Sequence, residues 1–191
     1  MTAIINNRIK KNDALGLVFY AAASLYLELA LIRFTAAEVL YLGYFSNFIL
    51  ISAFIGLGLG FLSYKRGIKT DQYVPFVMLF IFSLILVSEF DVTILRDNFG
   101  EFFFGNISGR SGLPGSFLLA ALLISTVILF TGLGCRIAES FSKFKPLTAY
   151  TLDISGSIFG IALFSLHSLV SSSPVTWVIT TGLLLITGYL I

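Results

Sequence analysis

The stretch from Ala14 to Phe34, ALGLVFYAAASLYLELALIRF, decides the fold. A helix rises 1.5 Å per residue, so about 20 apolar residues cross the roughly 30 Å hydrocarbon core of a bilayer. This stretch has that length and carries only two charges, Glu28 and Arg33. Arg8, Lys10 and Lys11 stand just before it. It is too long for the apolar region of a cleavable signal peptide, and no small-residue cleavage site breaks its end.

Five further apolar stretches follow: 39–63, 74–92, 116–134, 148–170 and 174–191. Each is near the length of a spanning helix, and none shows the short alternating segments of a membrane barrel. Over the whole chain of 191 residues, 57% are hydrophobic and 12% charged; mean hydropathy is +0.97. Soluble domains carry about 25% charged residues. The expected fold is an all-α, polytopic membrane helical bundle with about six transmembrane helices, one integral membrane domain over residues 1–191.

Charge placement predicts the orientation. The formal net charge of +2 is small and gives no reason to expect a nucleic-acid partner. Nine of the twelve Lys and Arg residues fall on one side of a six-helix zigzag. They are Arg8, Lys10 and Lys11, then Lys65, Arg66 and Lys69, then Arg136, Lys143 and Lys145. Arg33, Arg96 and Arg110 fall on the other. The positive-inside rule puts both termini in the cytoplasm, with the chain multi-pass in the cell (inner or plasma) membrane. The longest connection, Thr93 to Gly115, is then external; its Phe102-Phe103-Phe104 run is expected to rest at the headgroup level. The chain stops inside an apolar run at Tyr189-Leu190-Ile191, which predicts a longer natural chain or one split from a cytosolic domain.

Chemistry-bearing residues are few. A carboxylate at mid-bilayer costs roughly 2.5–3.5 kcal/mol on insertion scales, so Glu28 must face the bundle interior or a wet cavity. Tyr20, Ser24 and Glu28 follow one another at four-residue spacing and share a helix face. A structural hydrogen bond to a neighbouring helix and a solute or proton site are both open readings for Glu28. Arg33 is turned roughly 140° away from Glu28 and is expected to snorkel or to pair with Glu38. Ser52, Gly56 and Gly60 are in register on the second helix, where small residues let backbones approach closely. Asp153 sits in the first turns of the fifth helix, where the positive end of the helix dipole favours a carboxylate. Gly156 and Gly160 continue its face as a packing seam, and Tyr150 lies one turn before. Asp153 is open to two readings, a helix-terminus charge or a contact for a cation or a cytosolic domain.

The one histidine, His167, and the one cysteine, Cys135, have no ligand spacing around them and read as interfacial and packing residues. No Ser/His/Asp set, Walker loop or metal cluster can be assembled. No catalytic, cofactor-binding or metal site is assigned.

Three stretches together resemble one known group: Glu28-Leu29-Ala30-Leu31-Ile32-Arg33; the Gly56–Gly60 helix ending in Lys65-Arg66; and Ala149-Tyr150 with Asp153 and Gly156. The group is the membrane-embedded spermidine synthase-like proteins, whose membrane region is related to half of a major-facilitator transporter and joins a cytosolic aminopropyltransferase domain. Gly60, Leu62, Lys65, Gly67 and Lys69 also look like the cytoplasmic loop motif of major-facilitator proteins, with Tyr64 where an aspartate is usual. The resemblance implies a non-catalytic module that anchors an aminopropyltransferase-like domain or serves as a subunit of a larger membrane complex. Its partners would be the lipid bilayer, other membrane subunits, a homo-oligomer or a cytosolic domain. The alternative is a half-transporter for a cationic or amine solute, with Glu28 and Asp153 as binding carboxylates.

Overall fold

Among residues 2–38, 47–87 and 115–191, which the computed structural model describes, every regular element is a helix. The helices are α1 (Thr2–Glu38), α2 (Asn47–Lys65), α3 (Val74–Val87), α4 (Gly115–Phe141), α5 (Pro146–Leu169) and α6 (Pro174–Leu190). A short 3-10 turn, Asp71–Tyr73, leads into α3. Four helices are long and apolar enough to cross a membrane, over Lys11–Ala37, Asn47–Lys65, Leu119–Phe141 and Pro146–Leu169. The other two, α3 and α6, are shorter apolar helices. Residues 39–46 of the expected second stretch, 88–92 of the third and the whole Thr93–Pro114 connection lie outside the described residues.

Two helices outrun their apolar stretches. α1 starts at Thr2 because nothing in residues 2–13 breaks a helix: the segment has neither proline nor glycine. α4 continues past Gly134 to Phe141. Leu133, Ile137 and Phe141 extend its apolar face, while Arg136 and Glu139 pair three residues apart on its polar side. Arg136 is therefore a helical residue and not part of a loop.

Helix ends follow local chemistry. α2 closes at Gly67, whose φ of +72° suits glycine alone. The Gly67 N–H donates to Tyr64 O (2.9 Å) and the Ile68 N–H to Ser63 O (3.0 Å), the double bond of a Schellman cap. α5 ends in the same pattern with Ser171 in the left-handed position, φ 53°. Pro146 and Pro174 stand in the first turns of α5 and α6, where a missing N–H costs nothing.

α1 is the hub. α5 and α6 lie against one side of it, and α4, flanked by α2 and α3, against the other. Small residues set these approaches. Gly156 meets Val18 and Ala21, and Gly160 meets Ala22, so α5 lies directly on the α1 backbone. Gly56 and Gly60 of α2 meet Phe130, Val127 and Thr131, then Cys135 and Gly134, of α4. Gly134 returns the contact against Leu57. Ser52, buried, donates to its own helix at Phe48 O, 2.8 Å, which leaves its face free to pack.

Large apolar side chains cover the outside. Phe54 and Ile55 on α2, Phe76 and Phe80 on α3, Ile154 and Ile158 on α5, and Ile179 and Leu183 on α6 are each more than half exposed. Monomeric soluble proteins rarely show an apolar surface this extensive. A wholly apolar groove of about 530 Å³ runs between α3 and α4 over Ala120, Ala121 and Ser125.

Candidate functional site

The polar residues gather at the two ends of the bundle and along one side of α1. At one end, Lys143 Nζ reaches Asp13 at 2.7 Å, tying the turn after α4 to α1. Arg136 Nη2 reaches Asp71 at 2.8 Å and its Nη1 reaches Glu139 at 3.2 Å, while its guanidinium lies 5.5 Å from the Tyr189 ring centroid. Arg136 thus joins α4, the turn before α3, and α6. With Tyr64 Oη 2.9 Å from Ser142 Oγ and the Tyr150 ring edge-on to Phe141, these contacts bring α1 near Asp13, the end of α2, the end of α4, the start of α5 and the end of α6 to one face. Lys11, Lys65, Arg66, Lys69, Arg136, Lys143 and Lys145 all belong to it. Ion pairs this close to water are worth little individually, typically about 0–1 kcal/mol. Their effect here is to fix which helix ends meet.

Among these groups lies a polar cleft of about 220 Å³. It is lined by Asn12, Asp13, Gly16 and Tyr20 of α1, by Arg136, Glu139 and Ser140 of α4 with Lys143 just beyond, and by Gly188 and Tyr189 of α6. The cleft exists because Gly16 and Gly188 keep α1 and α6 close, with Gly188 against the Tyr20 ring.

At the opposite end, Arg33 donates to Ser168 Oγ and lies 5.7 Å from the Trp177 ring centroid. Trp177 Nε1 donates to Ser172 Oγ at 2.8 Å. Tyr26 Oη and His167 Nδ1 are 3.2 Å apart, and Phe164 stands edge-on to both Tyr26 and Trp177. The group clasps α1, α5 and α6 together. Asp13 and Arg33 are 20 residues apart on α1 (33 − 13 = 20), about 30 Å of helix, the thickness of a hydrocarbon core.

The candidate residues are distributed as follows. Glu28 is 6% exposed and has neither a hydrogen bond nor an ion pair among the described residues. Arg33 turns to Ser168 and Trp177 on α5 and α6, while the side chain of its expected partner Glu38 lies outside the described residues. Asp153 is half-buried on α5 and makes no hydrogen bond or ion pair among the described residues. Tyr150 is exposed, its ring edge-on to Phe141 at 5.6 Å. Cys135 is buried against Ile68 O at 3.5 Å.

Register separates the two carboxylates. α1 and α5 run parallel with an offset of 138 residues, as the Val18–Gly156 and Ala22–Gly160 contacts both give. Asp153 is then level with residue 15, and Glu28 lies 13 residues further along, about 20 Å. They do not share one small-molecule site. Sequence reading put Glu28 near mid-span and Asp153 in the first turns of its helix, but the distance between them needed the offset, which glycine contacts between helices set. The Asp13–Lys143 and Asp71–Arg136 pairs and the reciprocal Gly134 contact were equally invisible in one dimension. Among the described residues no group of three His, Cys, Asp or Glu side chains could hold a metal ion.

Comparison of the chain with protein-family models, curated proteins and solved structures finds no match.

Proposed function

We propose that the chain is a multi-pass membrane module, itself non-catalytic, with both ends on the cytoplasmic face of the cell membrane. It anchors an aminopropyltransferase-like cytosolic domain or serves as a subunit of a larger membrane assembly. One observation carries the membrane reading: a broad apolar surface on α2, α3, α5 and α6 separates a basic end from an end whose only described Lys or Arg is Arg33. Basic side chains remain on the cytoplasmic leaflet, which fits this segregation and gives the orientation. The aminopropyltransferase link rests on the Glu28–Arg33, Gly56–Arg66 and Ala149–Gly156 resemblances. Lys69→Cys in a Cys135→Ser background tests the orientation. An impermeant maleimide is expected to label inverted membrane vesicles and to leave intact cells unlabelled. Labelling of intact cells rejects it.

The unpartnered burial of Glu28 favours a second reading, a six-helix half of a major-facilitator-type carrier for a cationic or amine solute. Intramembrane acids mark solute and proton paths. Glu28→Gln is then expected to abolish uptake into vesicles while leaving the helical content unchanged. Undiminished uptake removes Glu28 from that role.

A further inference from the structure

We propose that Tyr20, Ser24 and Glu28 line a hydrated path by which water, and a proton along it, reaches Glu28 from the polar cleft at the basic end. The assignment of that end to the cytoplasm rests on the orientation proposed above; the path itself does not.

The path starts in the cleft. Tyr20 and Ser140 both line it, both are 8% exposed, and neither hydroxyl has a hydrogen-bond partner among the described residues. Ser24 is one turn beyond Tyr20 and Glu28 one turn beyond Ser24, a rise of about 12 Å in all. Ser24 is 5% exposed and its hydroxyl is likewise unpartnered. This sets it apart from the buried Ser52, Ser125 and Thr181, whose hydroxyls donate to a carbonyl of their own helix one turn back. A serine in a dry helix interior takes that bond; a serine facing water has no need of it.

α4 contributes at the same depth. α1 and α4 are antiparallel and Tyr20 shares the cleft with Arg136, so Glu28, eight residues beyond Tyr20, is about level with residue 128 (20 + 8 = 28; 136 − 8 = 128). Thr126, within one turn of that level, is fully buried, and its Oγ1 is the one wholly enclosed side-chain polar atom without a partner among the described residues. Buried polar groups in native proteins are satisfied by protein or by ordered water. Tyr20, Ser140, Ser24, Glu28 and Thr126 are five groups without a hydrogen-bond partner among the described residues, spread from the cleft to the depth of Glu28, and water is the common partner that fits them all. A carboxyl group with no protein partner at mid-bilayer costs roughly 2.5–3.5 kcal/mol on insertion scales, a cost that contact with water relieves. The exchanging step is a proton passing from water onto a Glu28 carboxylate oxygen and back.

In the other direction the described residues are packed and apolar. Beyond Glu28 toward Arg33, Leu31, Phe34 and Thr35 are each at most 2% exposed. Phe34 is stacked on Phe82 with ring centroids 5.1 Å apart, and the Thr35 hydroxyl donates to Leu31 O at 2.7 Å. Among the described residues, the polar opening on this face of α1 is the cleft at the basic end.

Thiol accessibility reads the path directly, because a water-soluble methanethiosulfonate reacts only with a hydrated thiolate. Ser24→Cys, nearly isosteric, is made in the full chain with Cys135→Ser. Ala22→Cys, packed under Gly160, is the dry control, and Lys69→Cys marks the basic side. In sealed vesicles Ser24→Cys is expected to react at least about tenfold faster than Ala22→Cys, and from the side that labels Lys69→Cys. Equal rates at positions 22 and 24, or reaction from the opposite side, overturn the path. If positions 24 and 69 both react from outside intact cells, the path stands and the cytoplasmic orientation fails. A second measurement needs no cysteine: a water-soluble carbodiimide is expected to modify Glu28, with Glu28→Gln as the blank. Modification by a lipid-soluble carbodiimide alone overturns the path as well.

Discussion

Replacing Gly60 by alanine is expected to weaken the fold by about 1–3 kcal/mol. The same change at Gly58, two residues away, is expected to be neutral or to stabilise by up to about 1 kcal/mol. A Cβ at position 60 falls 2.5 Å from Thr131 O, 2.7 Å from Cys135 N and 2.7 Å from the Gly134 carbonyl carbon. All three are backbone atoms of α4, so no rotamer change relieves the clash and the two helices must part. Parting them opens the reciprocal contact of Gly134 against Leu57 and the Gly56 contact one turn earlier. In a bilayer such close packing carries much of the association energy, because lipid is as apolar as the helix it replaces. A Cβ at position 58 meets nothing within 4 Å, so only the helix preference for alanine acts there. Unfolding each variant by SDS titration in mixed micelles, followed by circular dichroism, checks both signs. Equal midpoints for the two variants would sink the packing argument.

This contrast shows where sequence reading works and where it stops. Ser52, Gly56 and Gly60 could be placed on one helix face from their spacing alone, since the 3.6-residue period is a property of the single chain. That the partner is α4, and that Gly134 completes the contact, depends on how helices come together in three dimensions. The apolar stretches were legible for the same reason as the glycine stripe: length and composition are local. The ends of α1 and α4 were not, because polar residues continue a helix as readily as they end it when no proline or glycine intervenes. Arg33 shows the limit most clearly. Spacing offered snorkelling or a pair with Glu38, whose side chain lies outside the described residues; the contacts with Ser168 and Trp177, more than 130 residues away on α5 and α6, had no signal in one dimension. The Tyr20–Ser24–Glu28 face was visible in the sequence, yet its meaning needed the cleft at one end and the Phe34–Phe82 stack at the other.

Trp177→Ala is expected to be the most damaging single change at the Arg33 end, at about 2–3 kcal/mol. Truncating a buried tryptophan in a water-soluble core costs about 3–5 kcal/mol, part of it lost transfer energy and part an unfilled cavity. In lipid the transfer part shrinks, since the unpacked side chain is still in hydrocarbon, but the cavity part remains. Trp177 is 5% exposed and fills the junction of three helices: its ring meets Phe164 of α5, lies against the guanidinium of Arg33 on α1, and belongs to α6. Its Nε1 also donates to Ser172, whose hydroxyl donates to His167 O at 3.0 Å, so the α5–α6 turn is tied to the same ring. Trp177→Phe separates the contributions, because it keeps an aromatic ring on Phe164 and Arg33 while losing the donor. It is expected to cost about 1 kcal/mol, the net worth of one hydrogen bond. The SDS midpoint is expected to fall in the order wild type, Trp177→Phe, Trp177→Ala. If Trp177→Ala unfolds at the wild-type midpoint, the three helices are not held at this end by the tryptophan, and the Arg33–Ser168 and Tyr26–His167 contacts that remain join only α1 and α5.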